Sequence, residues 1–469
     1  MCSDVRSNAI RELIDVLTPI VTNTAQSSSL SASLENTNYG EILTAMQSLA
    51  NELIPKNPLF MTFHDGQVHD PLGGGAYAFQ NDIVGPVLLA LLEDEAAHDL
   101  LTPRDKPKRL NGLPTRPIVI HAGLQPNNSP HLGTLVVFCY AFAVAKGIRD
   151  RMREISGKDT PPPPVTVLIT FIDTAPVKDE GMEVEGIQYQ RSYRDVRDAL
   201  RTYMPDYEEV FRYLSVWSGV PAELAFQADF FANSWMPLLL GYVIRHYDTL
   251  GRQLSPKYGS LALRSACPVP GCGLAEKHGR LNEYRAHNDG QDDTITFRCP
   301  HHGPHTIGLS CPTEITRLEA NAPTRNLLRS MIHLLDTTTH HIRITGADYA
   351  GVYQEMFLYR PLAAWSASTG LARGRTPHIL YAPLIVDWSG AKLSKSLYVR
   401  DGAYEFMKHQ GMDGFCSYAR LRERFGGDGS EGLRRIWDEV QRWMKDPKKL
   451  FRSFSVAYLH DVILRDGRS

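Results

Sequence analysis

The chain lacks an excess of either charge. Lys and Arg total 50 against 52 Asp and Glu, a formal net charge of −2 over 469 residues. Without a global basic field, nucleic acid can be held only through a local patch, and nothing points to DNA. A long apolar run is also missing. The longest, Leu135–Ala145, falls well short of the roughly 20 residues of a membrane helix, so no membrane partner is expected. The opening stretch Met1–Leu17 has no basic flank leading into an apolar segment, which argues against a secretory leader and for a cytoplasmic protein. Cysteine is sparse and odd in number, seven in all, and four of the seven (267, 272, 299 and 311) fall close together. In an unsecreted chain such clustering suggests a metal site rather than a disulfide framework. No internal repeat is visible. With 43% apolar and 22% charged residues, collagen-like, coiled-coil and wholly disordered classes are excluded.

What is present divides the chain into segments. Residues 1–114 read as a mostly helical N-terminal extension, with a glycine-rich turn at Gly73–Gly75 and an apolar helix over Ile83–Leu92. No Lys-Ser/Thr follows the glycines, so a plain turn is expected rather than a phosphate cradle. Residues 115–186 hold a β-branched strand, Pro117–Ala122, a Gly/Pro/Asn loop, an apolar helix, Leu132–Lys146, and a second strand, Val165–Ile172. Strand, helix, strand is the unit of a parallel sheet, whose ligands bind beyond the carboxyl ends of the strands. Residues 187–265 read as a helical stem, 266–311 as a Cys/His-rich insertion, 312–400 as the second half of the core with the Lys-Ser loop, returning to short strands and loops over 340–400, and 401–469 as a short helical C-terminal segment. The fold class expected is α/β with a Rossmann-type parallel sheet.

Two motifs carry the chemistry. His131-Leu132-Gly133-Thr134 follows a strand and opens a helix, and Lys392-Leu393-Ser394-Lys395-Ser396 lies about 260 residues later. A helix N-terminus offers unpaired N–H groups and a positive dipole end to phosphates. His131 can donate to a phosphate, and Gly133 leaves room for a flat base. Two lysines on a Ser-rich loop can neutralise charge growing on a leaving pyrophosphate.

The pair resembles the HIGH and KMSKS signatures of class I aminoacyl-tRNA synthetases, with Thr134 in place of the second His and Leu132 and Leu393 for Ile and Met. Gly346-Ala347-Asp348, after a strand at His341–Thr345, is similar to the Gly-x-Asp segment those enzymes place near adenosine, so the resemblance implies Asp348 as a ribose ligand. The order of parts over residues 115–400 resembles the archaeal-type class I lysyl enzyme most closely.

Cys267-(x4)-Cys272 and Cys299-(x2)-His302 have the spacing of two zinc knuckles and can close a tetrahedral structural site. His301, His305 and Cys311 are rival fourth ligands. The segment Asp173–Glu185 has five acidic residues in thirteen (Asp173, Asp179, Glu180, Glu183, Glu185). At a sheet's carboxyl edge they would suit a cationic side chain, gripped as a guanidinium, or proton exchange with an amine. A solvated acidic loop is the plain alternative.

Only 73 residues follow Ser396, fewer than the anticodon-binding region the synthetase resemblance would imply. They are modestly basic, with twelve Lys/Arg against eight Asp/Glu from Arg420 onward, and contain an amphipathic helix with Ile436, Val440 and Trp443 on one side. Such a helix packs on a core or, through its excess cations, touches phosphates. Asp179-Glu180-Gly-Met-Glu183 is similar to the Asp-Asp-x-x-Glu motif of the arginine-containing cyclodipeptide synthases, with Glu for the second Asp. That resemblance implies an enzyme that joins arginyl-tRNA and a second aminoacyl-tRNA into a diketopiperazine, with Asp179, Glu180, Glu183 and Asp173 as catalytic groups and the lysines on the tRNA 3′ end. The competing expectation is an ATP-dependent aminoacyl-adenylate-forming ligase.

Overall fold

The computed structural model describes residues 81–99, 112–156, 161–196, 198–287, 293–369, 377–387, 390–393, 407 and 409–464. The glycine-rich turn Gly73–Gly75, most of the N-terminal extension, and Ser394, Lys395 and Ser396 lie outside the described residues. In chain order the main elements are α1 (Val84–Asp99), β1 (Ile118–Leu124), α2 (Leu132–Ser156), β2 (Val165–Phe171), β3 (Pro176–Val184), β4 (Ile187–Ser192), α3 (Met204–Ser218) and β5 (Ala222–Phe226). Then come α4 (Met236–Arg245), α5 (Tyr247–Leu254), β6 (Ala275–Glu276), β7 (Glu283–Arg285), β8 (Thr294–Cys299), β9 (Gly303–Gly308) and α6 (Ala322–Leu335). β10 (His340–Gly346), α7 (Arg360–Thr369), β11 (His378–Ala382), α8 (Tyr418–Arg424) and α9 (Gly429–Lys445) complete the set.

β11, β10, β1, β2 and β5 form one five-stranded sheet in that spatial order, and every pair is parallel. The expected α/β architecture with a Rossmann-like parallel sheet is therefore present. Chain order runs outward from β1 in one direction through β2 and β5, and in the other through β10 and β11. The direction of winding reverses between β1 and β10, which is where a sheet of this kind opens a ligand crevice.

The two faces of the sheet differ sharply. On one, Ile118, Ile120 and Ala122 of β1 align with Val165, Val167 and Ile169 of β2, and Ile342 and Ile344 of β10 continue the layer. These side chains are buried against α2, which contributes Leu135, Val136, Phe138, Phe142 and Ile148. Burial of each such side chain stabilises by about 1.5–3 kcal/mol. Among the described residues α2 is the one helix long and apolar enough, by length and composition, to cross a membrane; 67% of its most apolar window is buried inside this fold. The sequence run stops at Lys146, but the helix continues to Ser156 because Ile148 and Met152 still face the core. On its outer side α2 packs against α9, where Ile436, Val440 and Trp443 are all buried.

The other face carries polar groups inside. His121 is in register with Arg343. His121 Nε2 and His341 Nδ1 share a hydrogen bond at 2.9 Å, and the His333 ring of α6 stacks on His341 at 4.3 Å. His341 Nε2 meets Asp336 Oδ2 at 2.8 Å. Burial first, then the neighbouring His341 ring, holds His121 and His333 well below the usual histidine range.

Three strands fall where a helical stem is expected, β4, β5 and the short strand Leu263–Ser265. β4 folds back on β3 through Glu185 and Gly186, both at positive φ (50° and 75°), the geometry of a two-residue hairpin turn. β5 has no β-branched residue, yet pairs along β2 from Val167↔Ala222 to Phe171↔Phe226. There the open edge of the sheet, rather than local propensity, sets the conformation. In the second half of the core, Arg360–Thr369 is helical where loops are expected.

His121, buried, and His333, half-buried, are held neutral in the fold and make stability depend on pH. Each gains a proton in the unfolded chain below about pH 6.5 but not in the fold, so stability is complete above that value and falls as pH drops through it. The expected slope is about 1.4 kcal/mol per pH unit for each histidine. Urea melts at pH 7.5, 6.0 and 5.0 check this, and a flat profile over that range would rule it out.

Candidate functional site

The loop between β1 and α2 is fixed from outside. Tyr207 Oη donates to Asn128 O at 2.8 Å, Tyr418 N to Pro130 O at 2.7 Å, and Ala419 N to Ser129 Oγ at 3.1 Å. α3 and α8 thus hold the loop so that α2 starts at Leu132 above the carboxyl end of β1. No acidic residue lies in the first turn of α2, so the positive end of its dipole is not offset from within the helix.

Beyond the ends of β1 and β10 lies a cleft of about 1110 Å³. His131, Gly133, Thr134, Asp348 and Lys392 all line it, so the structure brings together the two sequence motifs and the Gly-x-Asp segment. Lys392 Nζ sits 2.6 Å from Asp348 Oδ2, joining parts of the chain 44 residues apart. A Cβ at Gly133 would come within 3.0 Å of His131 Cε1 and 3.2 Å of Nδ1. The glycine therefore makes room for the imidazole of its own motif. Leu393, between the motif's lysines, is buried in the main core and anchors that loop at the cleft.

The acidic segment is distributed differently. Asp173 is buried just past β2, where its Oδ1 accepts Gln227 N–H at 3.1 Å and its carbonyl accepts Arg194 N–H at 3.0 Å. Burial raises its pKa against the opposing Gln227 hydrogen bond. This carboxylate ties the end of β2 to the start of the helical turn after β5. β3 begins at the cleft wall with Pro176 and Val177 and then leads away from it. Glu180 pairs with Arg191 of β4 at 3.0 Å and lines a shallower depression beside His301 and His302. Glu183 stands opposite Gln188 in the hairpin. The side chain of Asp179 lies outside the described residues. The structure thus does not gather Glu180 and Glu183 at the cleft.

The lining also includes residues that no motif signals. Tyr193, Tyr203, Tyr207 and Tyr349 form much of its aromatic wall, and burial raises Tyr193 and Tyr207 above the usual tyrosine range, so both are neutral hydroxyls. Tyr203 and Tyr207 share the start of α3, and Tyr193 and Tyr349 come from two other segments, so no single spacing signature could have marked the wall in advance.

Away from the cleft, Cys267, Cys272, Cys299 and His302 offer ligand atoms all within 4.8 Å of one another. Cys272 Sγ and Cys299 Sγ are 3.7 Å apart, while His302 Nδ1 is 3.5 Å from Cys267 Sγ and 3.6 Å from Cys299 Sγ. A tetrahedron with zinc-to-ligand bonds of standard length has edges of about 3.8 Å between sulfurs and about 3.5 Å between sulfur and nitrogen, so the four groups fit a zinc ion. Tight turns make this possible. Cys272 N–H closes on Val269 O at 3.0 Å with Gly271 and Gly273 at positive φ, and Gly303 (φ 73°) follows the second pair. Burial pushes the Cys267 thiol up to about 12. At Cys299 burial acts in the same sense, but N–H groups of His301 and His302 outweigh it and hold the thiol below its usual value. Of the rival ligands, His305 stacks on Phe297 and Cys311 contacts Thr313 Oγ1 at 3.2 Å, while His301 stands beside His302, ring centroids 6.2 Å apart, outside the group of four. A zinc ion held by all four would have no position open for substrate, the pattern of structural sites.

No protein-family model and no curated protein matches the chain. Among solved structures there is distant similarity to class I aminoacyl-tRNA synthetases. A glutamate-tRNA synthetase from Elizabethkingia anophelis aligns at 13% identity and TM-score 0.24, covering 61% of this chain and 54% of that one. Tyrosyl-tRNA synthetase from Archaeoglobus fulgidus, complexed with L-tyrosine, aligns at 12% identity and TM-score 0.30, covering 80% of this chain and 96% of that one. Arginyl-tRNA synthetase from Thermus thermophilus aligns at 13% identity and TM-score 0.27, covering 81% and 64%. The chain spans about half the length of the glutamate-tRNA synthetases it matches.

The purified protein is expected to carry about one zinc per chain by plasma mass spectrometry. Cys299→Ser should drop the content close to zero and lower the melting temperature. Metal-free protein with an unchanged melt would refute the assignment.

Proposed function

We propose that the cleft takes the aminoacyl-adenosine end of a charged tRNA, and that the protein joins arginyl-tRNA and a second aminoacyl-tRNA into an arginine-containing cyclodipeptide. The observation that carries this reading is the size and composition of the cleft. At about 1110 Å³ it lies at the upper end of ordinary ligand pockets, with room for a terminal nucleoside and two aminoacyl groups. His131, the N-terminus of α2, Asp348 and Lys392 stand around it. In this reading Asp348 receives ribose hydroxyls, while the start of α2 and Lys392 hold the terminal phosphate. The α-amine of one aminoacyl group attacks the ester carbonyl of the other. A C–N bond forms, the ester C–O bond breaks, and the tRNA 3′-oxygen leaves with the proton given up by the amine. His131 is the described cleft side chain suited to carry that proton. A second attack by the remaining amine closes the ring and releases the other tRNA. β3 leads from the cleft wall at Pro176 and Val177 away to Glu180 and Glu183, so grip of the arginyl group by Asp179, Glu180 and Glu183 requires this hairpin to swing toward the cleft and Arg191 to yield its pairing with Glu180.

One observation supports a second reading. Lys392 beside the positive end of α2 suits a triphosphate as well as a tRNA phosphate, which favours ATP-dependent formation of an aminoacyl adenylate.

The discriminating assay supplies preformed arginyl-tRNA and a mixture of other aminoacyl-tRNAs without ATP, and looks for an arginine-containing diketopiperazine by mass spectrometry. The product is expected, with a loss of about 100-fold or more in His131→Ala and Lys392→Ala. No product, together with amino-acid-dependent ATP–pyrophosphate exchange, would replace this reading with the adenylate-forming one.

A further inference from the structure

The cleft is chemically unlike at its two ends. Toward β10 and β11 it is bounded by Thr345, Asp348 and Lys392, groups suited to hydroxyls and phosphates. Toward the carboxyl end of β2 it is closed by rings. Tyr203 and Tyr207 are four residues apart at the start of α3, which puts them on one face of that helix. Tyr207 stands edge-on to Phe171, at the end of β2, with ring centroids 5.6 Å apart and an angle of 87°. It also meets Phe138 of α2 edge-on, at 6.2 Å and 75°. Tyr193 is fixed beside the same strand end by its N–H, which donates to Ala175 O at 3.1 Å. Burial raises Tyr193 and Tyr207, and Tyr203 adds to the effect at both, so the three phenol ends are neighbours. Val137 and Val177 line the same part of the cleft.

Charge and shape together decide what this lobe accepts. Among the described residues, Asp348 is the one carboxylate that lines the cleft, and it is paired with Lys392. A guanidinium or ammonium group entering between the tyrosines would lose its water with no counter-charge beside it. Ring faces attract cations, but more weakly than that loss. A small side chain would leave the ring edges without contacts. A flat ring packs edge-to-face against them, as Tyr207 already does with Phe138 and Phe171.

We propose that this lobe receives the side chain of the second aminoacyl group, that this group is aromatic, and that Tyr193, Tyr203 and Tyr207 set the choice. The inference rests on the reading of the cleft as an aminoacyl site, and it leaves the arginyl group to the acids of β3.

The first test reads binding alone. Aminoacyl-adenosine analogues in which an amide replaces the 3′ ester are titrated into the full-length protein, and the rise in melting temperature is followed. The phenylalanyl amide is expected to half-saturate at a concentration about tenfold or more below that of the alanyl or lysyl amide. Tyr203→Ala should bring the three values together. Equal half-saturation for the three in the wild type, a lead for the alanyl or lysyl amide, or no rise with any of them would overturn the proposal, and this comparison stands even if the variant does not fold. The second test offers arginyl-tRNA one partner at a time. Binding preference for the phenylalanyl amide with no diketopiperazine from any pair would keep the aromatic lobe and remove the peptide-forming reading. Diketopiperazine formed as readily with alanyl-tRNA as with phenylalanyl-tRNA would keep the reaction and remove the aromatic assignment.

Discussion

Strand β1 pairs on one side with β2, the next strand along the chain, and on the other with β10, in the register Ile118↔His340 through Ala122↔Ile344. The second pairing is the constraint on which the candidate site rests. It reverses the winding of the sheet, opens the crevice, and carries Asp348 to the mouth of the loop that starts α2. The contact between Lys392 and Asp348 follows from it, because β11 lies beside β10 and delivers the lysine loop to the same edge. A register slip of one residue would exchange the apolar layer of Ile342 and Ile344 for His341 and Arg343. The sheet's two unlike faces therefore fix the pairing, and the pairing fixes the site.

Much of this was legible in the residues. The strand–loop–helix signature around His131 and Lys392 of the Lys-Ser motif fall on the two sides of the cleft, because a helix N-terminus after a strand has a local cause in the sequence. The Cys and His pairs were equally readable, since knuckle turns need glycine and proline at fixed offsets, and the side chains that the fold brings together are those of Cys267, Cys272, Cys299 and His302. β5 was not legible, because Ala222–Phe226 has no strand propensity of its own and takes its conformation from the edge of β2. The tyrosine wall was hidden for a related reason: Tyr193, Tyr207 and Tyr349 meet only through tertiary structure. The run of acids from Asp173 to Glu185 reads as one cluster, but strand alternation and the turn at Glu185–Gly186 separate its members. Asp173 is buried as a tie between segments, and Glu180 faces Arg191.

The Cys/His insertion is structurally continuous with that acidic hairpin. β4 pairs with β3 on one edge and with β6 on the other, and β6 lies immediately after the first two cysteines. Arg191 joins the two parts as well, with Nη1 on Glu180 and Nη2 on Gly271 O. A closed metal knuckle would thus act at a distance from the cleft, as a brace for the strand whose first residues form the cleft wall. Support of this kind orients groups that never touch the ion.

The pairing of β1 with β10 also has a consequence in time. During synthesis β1 leaves the ribosome roughly 220 residues before its β10 partner, a delay of about 10–45 s at ordinary elongation rates. Over that interval β2 can cover one edge of β1, while the other edge presents an unpaired row of backbone donors and acceptors flanked by Ile118 and Ile120. Edges of this kind recruit other strands. The nascent chain therefore carries an exposed strand edge until the second half of the sheet exists, a stretch between residues 125 and 340 in which the rate of synthesis or a chaperone bears on whether the edge meets its own partner first.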